Sequence, residues 1–161
     1  MLEWLEETPI AIWVQSSLWG YPLTLSMHGV GMAIVVGLTA VIALRLLGFP
    51  AGVPVSSLKS LTPVLIFGLA LNALTGVALF MADASRLFFN TAFQIKILMI
   101  VIGCGLVWRL DARVLRPAAL SSANGADFAL APSVKAIAVG AIIVWWFSVV
   151  LSGRLIAYID V

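Results

Sequence analysis

The chain has 161 residues, 63% of them hydrophobic and 10% charged, with a mean hydropathy of +1.15 and a net charge of +2. A soluble domain carries about a quarter charged residues and could not hide so much apolar surface at this length. These figures exclude a water-soluble enzyme, a disordered chain, a disulfide scaffold and a nucleic-acid binder, and leave an integral membrane protein.

Glu3, Glu6 and Glu7 stand where a signal peptide would be positively charged, so no cleavable leader is expected. Residues 8–44 then run for 37 positions without a charge, too long for one crossing of roughly 20 residues. Gly20-Tyr21-Pro22 divides the stretch, glycine by its backbone freedom and proline by its preference for a first helical turn. The piece before the break would reach only about 17 Å as a helix. With Trp4, Trp13 and Trp19 along it, it reads as an interfacial helix.

Four spans follow, at about 22–47, 62–82, 91–110 and 135–159. Phe49-Pro50-Ala51-Gly52-Val53-Pro54 and residues 117–133 read as loops. The expected fold is all-α, an integral membrane four-helix bundle with an N-terminal interfacial helix, forming a single transmembrane domain over residues 1–161. In span one, Gly29, Ala33 and Gly37 make a row of small residues expected to let a neighbouring helix come close. The single Cys104 cannot form an intrachain disulfide.

Lysine and arginine set the expected orientation. Arg45, Lys59, Arg109, Arg113, Arg116 and Lys135 fall on one side, and Arg86, Lys96 and Arg154 on the other. This places both termini outside, which in a bacterium is the periplasmic side of the inner membrane.

Ionisable groups inside a span are costly and ask for a reason. His28 lies about 9 Å below the start of span one and Lys96 about 8 Å below the start of span three, at the helical rise. Both spans start outside, so the two side chains share a layer. Arg154, near the end of span four, belongs to the same layer, and Asp83 and Arg86 cap it from the loop after span two. Asn72 and Thr75 are expected deeper. Thr24, His28, Gly31, Met32 and Thr39 share one face of span one, and Lys96, Met99 and Gly103 one face of span three. Structural alternatives accompany each residue. Lys96 and Arg154 could snorkel to the headgroups, His28 could be a neutral imidazole bonding across helices, and Asn72 could be interhelical glue.

A histidine and a lysine at one depth in a bundle core are a donor set for haem iron, which takes axial ligands from facing helices. His28 would be axial, with Lys96 second and Met99 as a fallback. Arg86 and Arg154 would pair with the propionates. Trp145 and Trp146 could wall such a flat group or simply meet core and lipid. Other readings stay open: a copper or small-solute transporter using His28, Met27 and Met32, a proton relay of His28 with Asp83, and a cofactor-free subunit of a membrane complex. The expected partners are the lipid bilayer and a quinone or another redox protein, with a homo-oligomer left open and no nucleic acid.

At Met27-His28-Gly29-Val30-Gly31, Leu61-Thr62-Pro63, Leu74-Thr75-Gly76 and Phe93-Gln94-Ile95-Lys96-Ile97-Leu98, the chain resembles the four-helix protoporphyrinogen oxidases of the HemJ type. It also looks like the wider group of four-span proteins that includes CopD-like copper-resistance membrane proteins. The resemblance covers roughly residues 23–110. It implies a haem b carried by the span-one histidine and the span-three lysine, here His28 and Lys96, and a haem-dependent oxidoreductase acting on a porphyrinogen-type substrate. Two features depart from that pattern: no arginine-containing stretch follows His28 closely, and the last span ends in Arg154-Leu155-Ile156-Ala157-Tyr158. The chain is similar as well to small four-span bacterial families of no assigned activity.

Overall fold

The computed structural model describes residues 2–49, 52–121 and 131–150. The chain opens with a single turn, α1 (Glu3–Glu6), and a short helix, α2 (Pro9–Ser16). Thr8 starts α2 by accepting the amide of Ala11 at 3.3 Å, with Pro9 in the first turn, where no amide is needed. Ala11 and Val14 are fully buried against the bundle while Ile12 and Trp13 are exposed, the two-faced character expected of an interfacial helix.

The break falls where the sequence places it, with Pro22 in the first turn of α3 (Gly20–Leu46), which starts two residues earlier than the expected span. Gly20 is required there, because a Cβ would collide with the carbonyl oxygen of Trp13. A 3-10 segment, Val55–Leu61, leads into α4 (Thr62–Ala82). The short α5 (Ala84–Phe89) turns the chain into α6 (Thr91–Leu110), which Asn90 caps by accepting the amide of Phe93 at 3.0 Å.

α6 does not end in a loop. It continues through a π-helical turn, Asp111–Leu115, into α7 (Arg116–Ser121). Residues 117–121 of the expected loop are therefore helical. Pro117 does not stop them, because it sits in the first turn of α7, where proline is tolerated. The last described helix is α8 (Pro132–Val150); residues 151–159 of the expected fourth span lie outside the described residues. Gly20–Leu46, Val55–Ala82, Thr91–Ala118 and Pro132–Val149 are each long and apolar enough to cross a membrane. The protein is an all-α, multi-pass membrane protein.

α4 packs on α3, α3 on α8, and α8 on α6, leaving α4 and α6 without a packed interface. The closest approach, between α3 and α4, uses Gly31 and Gly68. A Cβ on Gly31 would lie 2.7 Å from the Asn72 backbone nitrogen, and one on Gly68 would lie 2.5 Å from Ile34 Cγ2. The expected row does not make this contact. A Cβ on Gly29 or Gly37 would meet nothing within 4 Å, and both are exposed. The face of α3 turned inward is the one through Thr24, His28, Gly31, Val35 and Thr39, about 100° round the helix from the small row.

One end of the bundle is solid. Ile42, Ala43, Leu46, Leu58, Leu65, Leu110, Val114, Leu115, Ala138 and Ala141 form a continuous core. Beside it Asp111 accepts from Lys59 Nζ at 2.5 Å and from Arg116 Nε at 2.6 Å. This ion pair ties the foot of α4 to the foot of α6, and we call it the clasp end. The opposite end contains a cavity.

Candidate cofactor cavity

The cavity measures about 980 Å³, at the upper end of the roughly 300–1,000 Å³ typical of cofactor and small-molecule sites. Its floor is α3, with Leu25, His28, Gly29 and Met32. Leu69, Asn72, Ala73, Gly76, Val77 and Phe80 of α4 form one wall, and Phe93, Lys96, Ile97 and Ile100 of α6 the other. Asp83 and Arg86 stand at its mouth with Gln15 of α2.

His28 is buried and held by α4. Its Nδ1 lies 3.1 Å from the backbone oxygen of Asn72 and 3.1 Å from Thr75 Oγ1. A carbonyl only accepts, and the Thr75 hydroxyl donates its proton to the Leu71 carbonyl at 2.6 Å. Both neighbours of Nδ1 are therefore acceptors, so Nδ1 carries the proton and Nε2 keeps a lone pair. Asn72 returns the contact, donating from Nδ2 to the His28 carbonyl at 3.0 Å. Gly76 completes the seat, since a Cβ there would stand 3.1 Å from His28 Cε1.

Nε2 makes no hydrogen bond among the described residues, and neither does Lys96 Nζ. The two groups line the same cavity. At the mouth, Arg86 pairs with Asp83 at 2.6 Å. The N-terminal helices cover this end. Gln15 Nε2 donates to the Ala82 carbonyl at 2.9 Å, and Glu6 accepts the Ser85 amide at 2.7 Å. That amide holds the Glu6 carboxyl below the usual glutamate range.

The structure thus brings His28, Lys96, Arg86 and Asp83 around one space; Arg154 lies outside the described residues. Met32 lines the cavity, whereas Met99 does not and Met27 is 46% exposed. The expected face Lys96–Met99–Gly103 divides: Lys96 looks into the cavity while Gly103 receives the Trp145 ring, whose Cε2 would be 2.8 Å from a Cβ at Gly103. Trp145, 4% exposed, therefore belongs to the α6–α8 interface and not to the cavity wall, and Trp146 is exposed.

Asn72 and Thr75, expected deeper than His28, touch it. Asn72 is ten residues from the end of α4 and His28 eight from the start of α3, about 15 and 12 Å at the helical rise, a difference that the side chains bridge. The spacing of Asn72, Thr75 and Gly76 at i, i+3 and i+4 was the signal that could have found this seat.

Among the described residues no group of three or more His, Cys, Asp or Glu side chains converges. The donors present suit a group that needs only one or two protein ligands. A histidine whose Nδ1 is tied to a backbone carbonyl is pre-set for ligation through Nε2.

The family described as of unknown function, DUF6644, matches residues 2–159, and the chain belongs to it. No curated protein and no solved structure matches the chain.

Proposed function

We propose that this member of the DUF6644 family is a haem-b-binding membrane protein of electron transfer. His28 Nε2 would be the axial ligand, Lys96 the second, and Arg86 the propionate partner. One observation carries this reading: the Asn72 carbonyl and the Thr75 hydroxyl fix the Nδ1–H tautomer, leaving a lone pair on a cavity-lining imidazole whose neighbour Lys96 has no hydrogen-bond partner among the described residues.

The group, when bound, supplies a one-electron iron couple. The chain's own residues do the rest. Asn72 and Thr75 hold the imidazole plane and raise its basicity. The aliphatic walls of α4 and α6 keep water away. Asp83 holds Arg86 at the mouth, where an acidic edge could take its place on the guanidinium. Oxidation of a porphyrinogen-type substrate is the narrower form that the HemJ-type resemblance implies. The lysine and arginine distribution supports a bacterial inner-membrane protein with both termini periplasmic. The copper reading loses a ligand, because Met27 stands outside the cavity.

The test is the absorption spectrum of the protein purified from membranes in mild detergent. A Soret band that shifts on reduction is expected. His28→Ala should abolish it, and Lys96→Ala should alter the ligation while keeping haem. Colourless protein, or a spectrum unchanged in both variants, overturns the reading, and colourless protein that binds copper points to transport.

A further inference from the structure

We infer that the cavity opens sideways into the bilayer between α4 and α6, and that a lipid-soluble quinone-type ring binds in that opening. The inference rests on the electron-transfer reading for its purpose, and on separate observations for its geometry.

The first observation is the missing interface. α4 and α6 are tied at their clasp ends by Lys59 and Asp111, and near the cavity mouth by Phe80 and Phe93, whose rings stack 5.4 Å apart at 14°. Between these two ties the helices do not pack on each other. The second is exposure at this gap. Of the cavity-lining residues that are also exposed (Tyr21 and Leu25 on α3 among them), Val77 on α4, 58% exposed, and Ile97 on α6, 44% exposed, stand on the two helices that flank it. Val77 and Ile97 are the lips of a slit. Each lies five or six residues inside its helix end, about 8–9 Å in at the helical rise, within an apolar span.

The occupant follows from the lips. Uncharged aliphatic walls at that depth offer a soluble redox protein no charged rim to dock on, and offer an ion no polar path. The polar mouth, with Asp83, Arg86 and the Gln15–Ala82 contact, lies at the other side of the cavity from these walls. A flat, uncharged ring on an apolar tail can pass the lips, and the Phe80–Phe93 stack at the slit's edge offers it aromatic surface.

The test uses a short-tailed azido-quinone photoprobe on the full chain in phosphatidylcholine vesicles, with labelled peptides identified by mass spectrometry. Label is expected on the α4 and α6 peptides that carry Val77 and Ile97. It should fall about tenfold, the mark of a specific site, with excess unlabelled quinone or in the double variant Val77→Trp, Ile97→Trp. Label scattered over all lipid-facing helices, unchanged by the plugs, or displaced equally by a ringless alkyl chain overturns the inference.

If the plugged variant does not fold, Phe80→Cys and Phe93→Cys in a Cys104→Ser background, bridged by a short bismaleimide, should close the slit to the probe; full labelling of the bridged protein overturns the inference. The Soret band of the same vesicles separates the two readings. Red protein without slit labelling sinks the lateral site alone. Colourless protein with slit labelling sinks the haem reading alone.

Discussion

Around Leu46 and Leu110 the helices meet through large aliphatic side chains and a paired carboxylate; around His28 they are lined by Gly29, Ala73 and Gly76 and enclose a cavity. Both ends belong to the same helices, so the contrast comes from how they approach one another and not from helix length. In lipid the hydrophobic effect does not drive helices together, and close van der Waals packing and interhelical hydrogen bonds must. The clasp end supplies that packing. With α4 and α6 fixed there, and tied near the mouth only by the Phe80–Phe93 stack, the stretch between need not pack, and the volume beside it is available for a ligand.

This contrast can be broken from the clasp end first. Leu46→Ala should cost about 2–5 kcal/mol, since a fully buried side chain leaves a void. Unfolding in detergent should show the loss, while the spectrum of the folded protein stays unchanged. Gly31→Ala comes next, at about 1–3 kcal/mol for overpacking. Its Cβ meets the backbone of Asn72, which cannot rotate away, so it should also weaken haem retention. Gly68→Ala should cost about as much stability, because its Cβ would stand 2.5 Å from Ile34 Cγ2 and 2.8 Å from Ile34 Cβ, which no rotamer change moves. It should weaken haem retention less, because it does not meet Asn72.

Asn72→Ala sharpens the comparison. It removes the bond from Nδ2 to the His28 carbonyl, worth about 0.6 kcal/mol in a membrane interior, but leaves the backbone carbonyl that holds Nδ1. The spectrum should persist, and its disappearance would show that the side chain and not the carbonyl seats the imidazole. The smallest effect lies in the cover. The Glu6 carboxyl is held low by the Ser85 amide, so the latch is present above the ordinary glutamate value of about 4.3 and lost as pH falls through the lowered one. The protection of the Ser85 amide, its exchange relative to the intrinsic rate at each pH, should fall below that pH, and Glu6→Gln should remove this pH-dependent loss.

The spans at 62–82 and 91–110 were legible to the residue, because Thr62-Pro63 and Asn90-Thr91 start helices by local chemistry. His28 and Lys96 were legible as costly polar groups inside spans, and they line one cavity. Contacts set by rotation about the helix axis were less so. The small row at Gly29, Ala33 and Gly37 looks adhesive in one dimension, yet the inward face is fixed by Gly31 meeting Asn72 from another helix. Trp145 was ambiguous for the same reason, since only the notch at Gly103 shows where its ring goes. The helical residues 117–121 were hidden because Pro117 signals a break unless the preceding turn is seen.

That preceding turn has a consequence for how the chain tolerates change. Arg116 follows Asp111 by five residues, a spacing that an ordinary α-helix would put about 140° apart and that the wider turn at Asp111–Leu115 brings together. Here the number of residues carries the information. Excising one of them would let the turn relax to an ordinary α-helix, with carboxylate and guanidinium four residues and about 40° apart, and the foot would stay fastened. Inserting one would carry the guanidinium away, so this joint absorbs a loss but not a gain.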